Sequence, residues 1–173
     1  HRQDRGHLSI IQRCRHMTND PTRLSLEELA SLLAEGRLSS TLLTKCCIEN
    51  RSVFLDAYKS WRPDVALEMA NLADHAFAGR QKLGPLQGIP ISIKDLEPMA
   101  GVRFTSGSLV YKDRIAQSDS LSVTRIKAAG AVILGKTNTS EYGHIGTNEN
   151  RLGDACRNPW DPERTSGGSS GGA

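Results

Sequence analysis

The sequence predicts an α/β fold in which a mixed, largely parallel sheet is flanked by helices. Three observations carry that expectation. Gly88-Ile-Pro-Ile-Ser-Ile-Lys-Asp95 alternates isoleucine with Pro90 and Ser92, and β-branched side chains suit a pleated, packed surface. Ala131-Val-Ile-Leu134 is a continuous apolar run between Gly130 and Gly135, the pattern of a strand buried on both faces. Between them lies a helical pattern, Leu121, Val123, Ile126 and Ala129, opened by Ser118 or Ser120 and ended by Gly130. A strand, a helix and a strand in that order make a crossover with parallel strands.

The remaining elements follow in chain order. Ser25-Leu-Glu-Glu28 is a capping box before Leu29, Leu32 and Leu33, and Gly36 closes that first helix. Ser39 or Ser40 caps a second helix, whose apolar stripe is Leu42, Leu43, Cys46 and Cys47, extended to Val53 and Phe54. Pro63 and Asp64 open a third, alanine-rich helix that Gly79 stops. Gly84-Pro85 is a turn into the Lys94 strand, and residues 97–117 read as a loop with room for one short strand. Thr139 or Ser140 caps one helical turn, and irregular structure follows through Gly153. Arg157-Asn-Pro-Trp-Asp-Pro162 is extended or turning, with Trp160 expected to pin it to the core.

Composition excludes several classes. A chain of 173 residues, 38% hydrophobic and 24% charged, is ordinary for a globular domain. No apolar run approaches the ~18 residues of a membrane span, and the first residues lack the apolar core of a signal peptide. Arg2, Arg5, Arg13 and Arg15 against Asp4 place the whole formal charge of +3 in residues 1–16, so the rest is formally neutral. With no aromatic interleaving, that tail does not read as a nucleic-acid arm. Met17 opens a more conventional sequence, and residues 1–16 are expected to stand outside the fold. Cys14, Cys46, Cys47 and Cys156 show no C-x-x-C spacing and read as reduced thiols of a cytoplasmic protein. No two histidines sit at metal-ligand spacing with a carboxylate, so neither a metal nor a cofactor is expected.

Two stretches hold chemistry. Lys94 follows three isoleucines; its stem can lie on apolar surface with the ammonium in water, or the amine can be buried, lose its charge and act as a base. Asp95 offers it little help, because adjacent strand residues point to opposite faces. The ending Thr165-Ser-Gly-Gly-Ser-Ser-Gly-Gly-Ala173 can be a flexible linker, or a loop that presents backbone N–H groups and hydroxyls to a ligand. It lacks the Gly-Lys-Ser/Thr of a phosphate loop and the Gly-x-Ser-x-Gly of a nucleophile elbow.

Taken together, Gly84-Pro-Leu-Gln-Gly-Ile-Pro-Ile-Ser-Ile-Lys-Asp95, Gly130-Ala-Val-Ile-Leu-Gly-Lys-Thr-Asn138 and Arg157-Asn-Pro-Trp-Asp-Pro-Glu-Arg-Thr-Ser-Gly-Gly-Ser-Ser-Gly-Gly172 closely resemble the amidase signature family. The resemblance extends over residues 22–173. It implies the amidase signature fold, incomplete in this chain, and a Ser-cisSer-Lys triad that hydrolyses amides. On that basis Lys94 matches the general base, neutral at rest, and Ser169 the bridging serine after a cis peptide bond. Ser170 matches a supporting hydroxyl, with Gly167, Gly168, Gly171 and Gly172 shaping the loop. The family's nucleophilic serine lies in a later Gly-Gly-Ser segment, which these residues do not include.

The implied organisation is a basic tail (1–16), an N-terminal helical region (17–80) and the first part of an α/β amidase core (81–173), cut at the Gly/Ser motif. The expected activity is cleavage of a small-molecule amide to carboxylate plus ammonia or amine, with this chain inactive alone. The alternatives are the A-type subunit of a tRNA-dependent amidotransferase, or a non-catalytic fragment kept by descent. No nucleic acid or membrane is expected as a partner, and a homodimer is compatible.

Overall fold

A computed structural model describes residues 20–81 and 84–170. The basic tail, Cys14, Met17, Gly171 and Gly172 lie outside the described residues. The elements are α1 (Leu26–Ala34), α2 (Ser40–Glu49), β1 (Tyr58–Trp61), α3 (Pro63–Ala78), β2 (Pro90–Lys94), α4 (Leu121–Ala128) and β3 (Val132–Thr137).

The helices begin where their caps dictate. At α1 the Ser25 hydroxyl accepts from Glu28 N at 3.2 Å, while the Glu28 carboxylate accepts from Ser25 N at 2.8 Å. Ser25→Ala should therefore lower the unfolding free energy by about 1 kcal/mol. A melt no lower than wild type would remove the cap from the stability account. Ser39 caps α2, and Asp74 reaches across from α3 to accept from Ser40 N at 2.6 Å and Thr41 N at 3.0 Å. A carboxylate at that terminus also complements the helix dipole. Ser120 caps α4.

The sheet has the order β1-β3-β2, with β2 parallel and β1 antiparallel to the central β3. The crossover through α4 makes the β2–β3 pair parallel, and Lys94 stands opposite Thr137 in its register. Both faces are covered. Ile93 and Ile133 pack with Met99, Val102 and Val123 of α4 on one side. Val132 and Leu134 meet Ala66 and Ala70 of α3 on the other, where the small side chains allow close approach. Leu33, Leu38, Leu43 and Ile89 join α1 and α2 to the edge of the sheet. Every residue of β3 is buried, as the apolar run predicts, and the strand continues past Leu134 to Thr137.

Several expectations are corrected. The segment before residue 80 is not only helical, because Tyr58–Trp61 forms the antiparallel edge strand. Val53 and Phe54 do not extend the stripe of α2; they form a separate 3-10 turn, 72% and 61% exposed. Trp160 does not anchor its loop, being 94% exposed. The loop is held instead by polar bonds, including Trp160 N to Asn158 Oδ1 at 2.9 Å and Arg157 N to Leu55 O at 3.0 Å. Among the described residues, Cys47 and Cys156 are free thiols.

Candidate active site

The site forms where the carboxyl ends of β2 and β3 meet the glycine–serine loop. Lys94 is the last residue of β2, and its Nζ donates a hydrogen bond to the backbone carbonyl of Ser169. Sequence separates the two by 75 residues, so the fold brings together the two stretches that motif reading singled out. The Gly168–Ser169 peptide bond is cis. Ser169 and Ser170 are exposed and Gly167 is half-buried, with its N–H donating to Thr165 Oγ1 at 3.2 Å.

Gly168 is required by close approach, since a Cβ there would lie 2.6 Å from Thr147 O and 2.7 Å from Ile145 O. Those carbonyls belong to the loop after β3, which covers Lys94 from the other side. At Gly143 of that loop φ is +65°, and a Cβ would lie 2.7 Å from Leu96 Cδ1 and 3.7 Å from Lys94 Nζ. Tyr142 secures the loop: its N–H donates to Ser106 O at 2.8 Å, and its ring meets Tyr111 edge to face at 6.2 Å. Between cover and loop Lys94 is half-buried, less enclosed than the expected buried amine. Its contact is with the Ser169 carbonyl; among the described residues no bond joins Nζ to the Ser169 hydroxyl.

Two cavities flank this contact. One, of about 590 Å³, is lined by Tyr142, His144, Ile145, Glu149 and Arg151. The other, of about 440 Å³, is lined by Tyr58, Ser92, Thr137, Asn148, Gly168 and Ser170. In its wall Tyr58 shares a hydrogen bond of 2.5 Å with Ser92. Burial pushes the Tyr58 phenol above its usual range. Among the described residues, no group of three or more His, Cys, Asp or Glu side chains is placed to hold a metal ion. Nor is any described helix long and apolar enough to cross a membrane.

Motif reading missed the most buried charges among the described residues. Asp95, one residue past Lys94, is 1% exposed, and Lys136 of β3 is 0% exposed. Lys136 Nζ lies 3.1 Å from Asp95 Oδ1 and donates to Glu97 O at 2.6 Å. Burial holds the Lys136 ammonium below the usual lysine range, and the facing Asp95 carboxylate opposes that shift. As expected, Asp95 gives Lys94 no partner; it serves Lys136 on the other face. The available signal was the lysine itself: a cation at the end of a strand buried on both faces calls for a carboxylate near it.

The chain is similar to known proteins in sequence and in fold. The amidase family model matches residues 46–173. The A-type subunit of glutamyl-tRNA(Gln) amidotransferase from Desulforapulum autotrophicum is 40% identical over 153 residues, covering 87% of this chain and 31% of that protein. Its counterpart of the same name from Moorella thermoacetica gives the same figures. The chain thus spans about a third of the length of the curated relatives it matches. Among solved structures, fatty acid amide hydrolase superposes with a TM-score of 0.83 at 27% identity, covering 88% of this chain and 27% of that one. The native peptide amidase of Stenotrophomonas maltophilia gives 0.76 at 32% identity, covering 87% and 33%. With the family model covering most of the chain and the fold shared with these amidases, the chain belongs to the amidase signature family.

Proposed function

We propose that this chain supplies the base and the proton relay of an amide-cleaving enzyme. The observation that carries the proposal is the meeting of Lys94 with Ser169, next to the cis Gly168–Ser169 bond. In the proposed reaction, Lys94 acts as the base that draws a proton through Ser169 from a serine nucleophile, which attacks the amide carbonyl. The tetrahedral intermediate collapses, the proton returns to the departing ammonia or amine, and water hydrolyses the acyl-enzyme. Ser170 and the flanking Gly167 and Gly168 hold the relay serine. The nucleophile falls to the later family segment, so residues 1–173 alone should not turn over amides.

The test is ammonia release from a panel of simple aliphatic and aryl amides by purified 1–173. The expected result is no release above the uncatalysed rate. Robust hydrolysis that disappears in Lys94→Ala would overturn the proposed inactivity and place a nucleophile inside the sequence.

A second reading is favoured by the 40% identity to the A-type subunits of amidotransferases. Here the ammonia would pass to a partner's substrate and not to solvent. A longer polypeptide carrying this chain would then co-purify with companion proteins and amidate glutamyl-tRNA(Gln); free ammonia from simple amides without any companion favours the plain amidase. On either reading we place the protein in the cytoplasm, with residues 1–16 outside the fold, residues 17–80 leading into it and residues 81–173 as the opening of the catalytic core.

A further inference from the structure

The Asp95–Lys136 pair is buried more completely than any group the proposed reaction uses. Taking two charges out of water costs several kcal/mol per ion, and an apolar pair of similar size often serves stability as well. Such a pair therefore calls for an account of what its geometry achieves.

Each partner is tied further. Asp95 Oδ2 accepts from Thr105 N at 3.1 Å and from the Thr105 hydroxyl, while Oδ1 faces Lys136. Thr105 Oγ1 accepts from Gly107 N at 3.1 Å, and Asp95 O accepts from Ser106 N at 3.2 Å. Lys136 is anchored on Glu97 O and lies 5.2 Å from the Phe104 ring centroid. The pair thus clamps the turn at Thr105–Gly107 to the end of β2.

Two routes lead from that clamp to Lys94. The first is the backbone: Asp95 directly follows Lys94 at the end of β2, so the bonds that fix Asp95, including its N–H to Thr137 O at 3.2 Å, orient the chain that aims the amine. The second is the turn: Ser106 O receives the Tyr142 N–H at 2.8 Å, and Tyr142 precedes Gly143, which lies over Lys94 Nζ. We propose that Asp95 and Lys136 are positioning residues for Lys94, fixing its direction through β2 and its cover through the Ser106–Tyr142 link. The inference rests on the reading of Lys94 as the base, and it assigns the pair no contact with substrate.

The test reads the Lys94 amine and not turnover. Purified 1–173 is treated with a limiting acetylating reagent at fixed pH, and acetylation of Lys94 is followed by peptide mass spectrometry against exposed Lys112 as internal standard. In Asp95→Leu/Lys136→Met, where an apolar pair replaces the ions, the Lys94-to-Lys112 rate ratio should rise about threefold or more as the cover loosens. An unchanged ratio in a variant that still melts cooperatively overturns the inference. Should the double variant not fold, Thr105→Val decides, because it keeps the ion pair and removes only the hydroxyl that ties it to the turn. There a raised ratio, restored by Thr105→Ser, supports positioning, and an unchanged ratio refutes it. If the ratio stays put while Lys94→Ala abolishes amide cleavage in a longer chain, the positioning inference falls and the catalytic reading survives. A moved ratio with no amide cleavage gives the reverse.

Discussion

Asp95→Ala should destabilise the protein by roughly 3–5 kcal/mol, because it leaves the Lys136 ammonium buried without its carboxylate. For a chain of this size each kcal/mol lowers the melting temperature by roughly 2–4 °C, so the loss should be plain in a thermal melt. Its pH dependence has a definite sign. Burial holds the Lys136 pKa below the ordinary lysine value of 10.5, so the unfolded chain binds the proton more readily than the folded one. Stability then rises with pH across the window between the folded and unfolded values. Removing Asp95 deletes the attraction that opposed the shift and widens that window downward. The deficit of Asp95→Ala relative to wild type should shrink as pH is raised from neutrality toward 10.5. A deficit that grows over that range would mean that Lys136 is not the group left unsatisfied.

The second large effect concerns chemistry. In a longer polypeptide that joins this chain to a nucleophilic serine, Lys94→Ala should lower kcat for amide hydrolysis by roughly 10²–10⁴, the usual scale of a lost general base. Ser169→Ala should fall in the same range, and the double variant should be little worse than either alone, because in the proposed reaction the two act as a unit. Steady-state kinetics on one amide would check both. Additive losses would separate the two residues and sink the relay.

Local signals made much of the fold legible. Ser25, Ser39 and Ser120 start helices because their hydroxyls satisfy N–H groups that a helix cannot pair itself, which is a matter of a few neighbouring residues. The β2–α4–β3 crossover was likewise readable, since apolar runs and a helical stripe follow one another along a short stretch of chain. Strand β1 was not. Tyr-Lys-Ser-Trp carries no continuous apolar pattern, and its state is set by pairing with β3 far along the chain. Trp160 failed for a related reason, because size alone does not supply a partner surface. Of the candidate site, Lys94 and Ser169 were visible as motifs and the fold brings them together, while Lys136 was read only as part of a resembling segment. Its carboxylate lies 41 residues away, and the need for it appears once β2 and β3 are set side by side.

The placement of β3 bears on how the protein is made. The strand at the centre of the sheet leaves the ribosome last, about 40 residues after β2 is complete. At ~5–20 residues per second, β2 spends roughly 2–8 s with no sheet partner, and β1 waits longer. During that interval α1, α2 and α3 can already pack with one another and with Ile89, through Leu33, Leu43 and the cap that Asp74 gives to α2. The helices before residue 80 act in that interval as a scaffold in time as well as in space, shielding apolar surface until the strand arrives that joins β1 to β2.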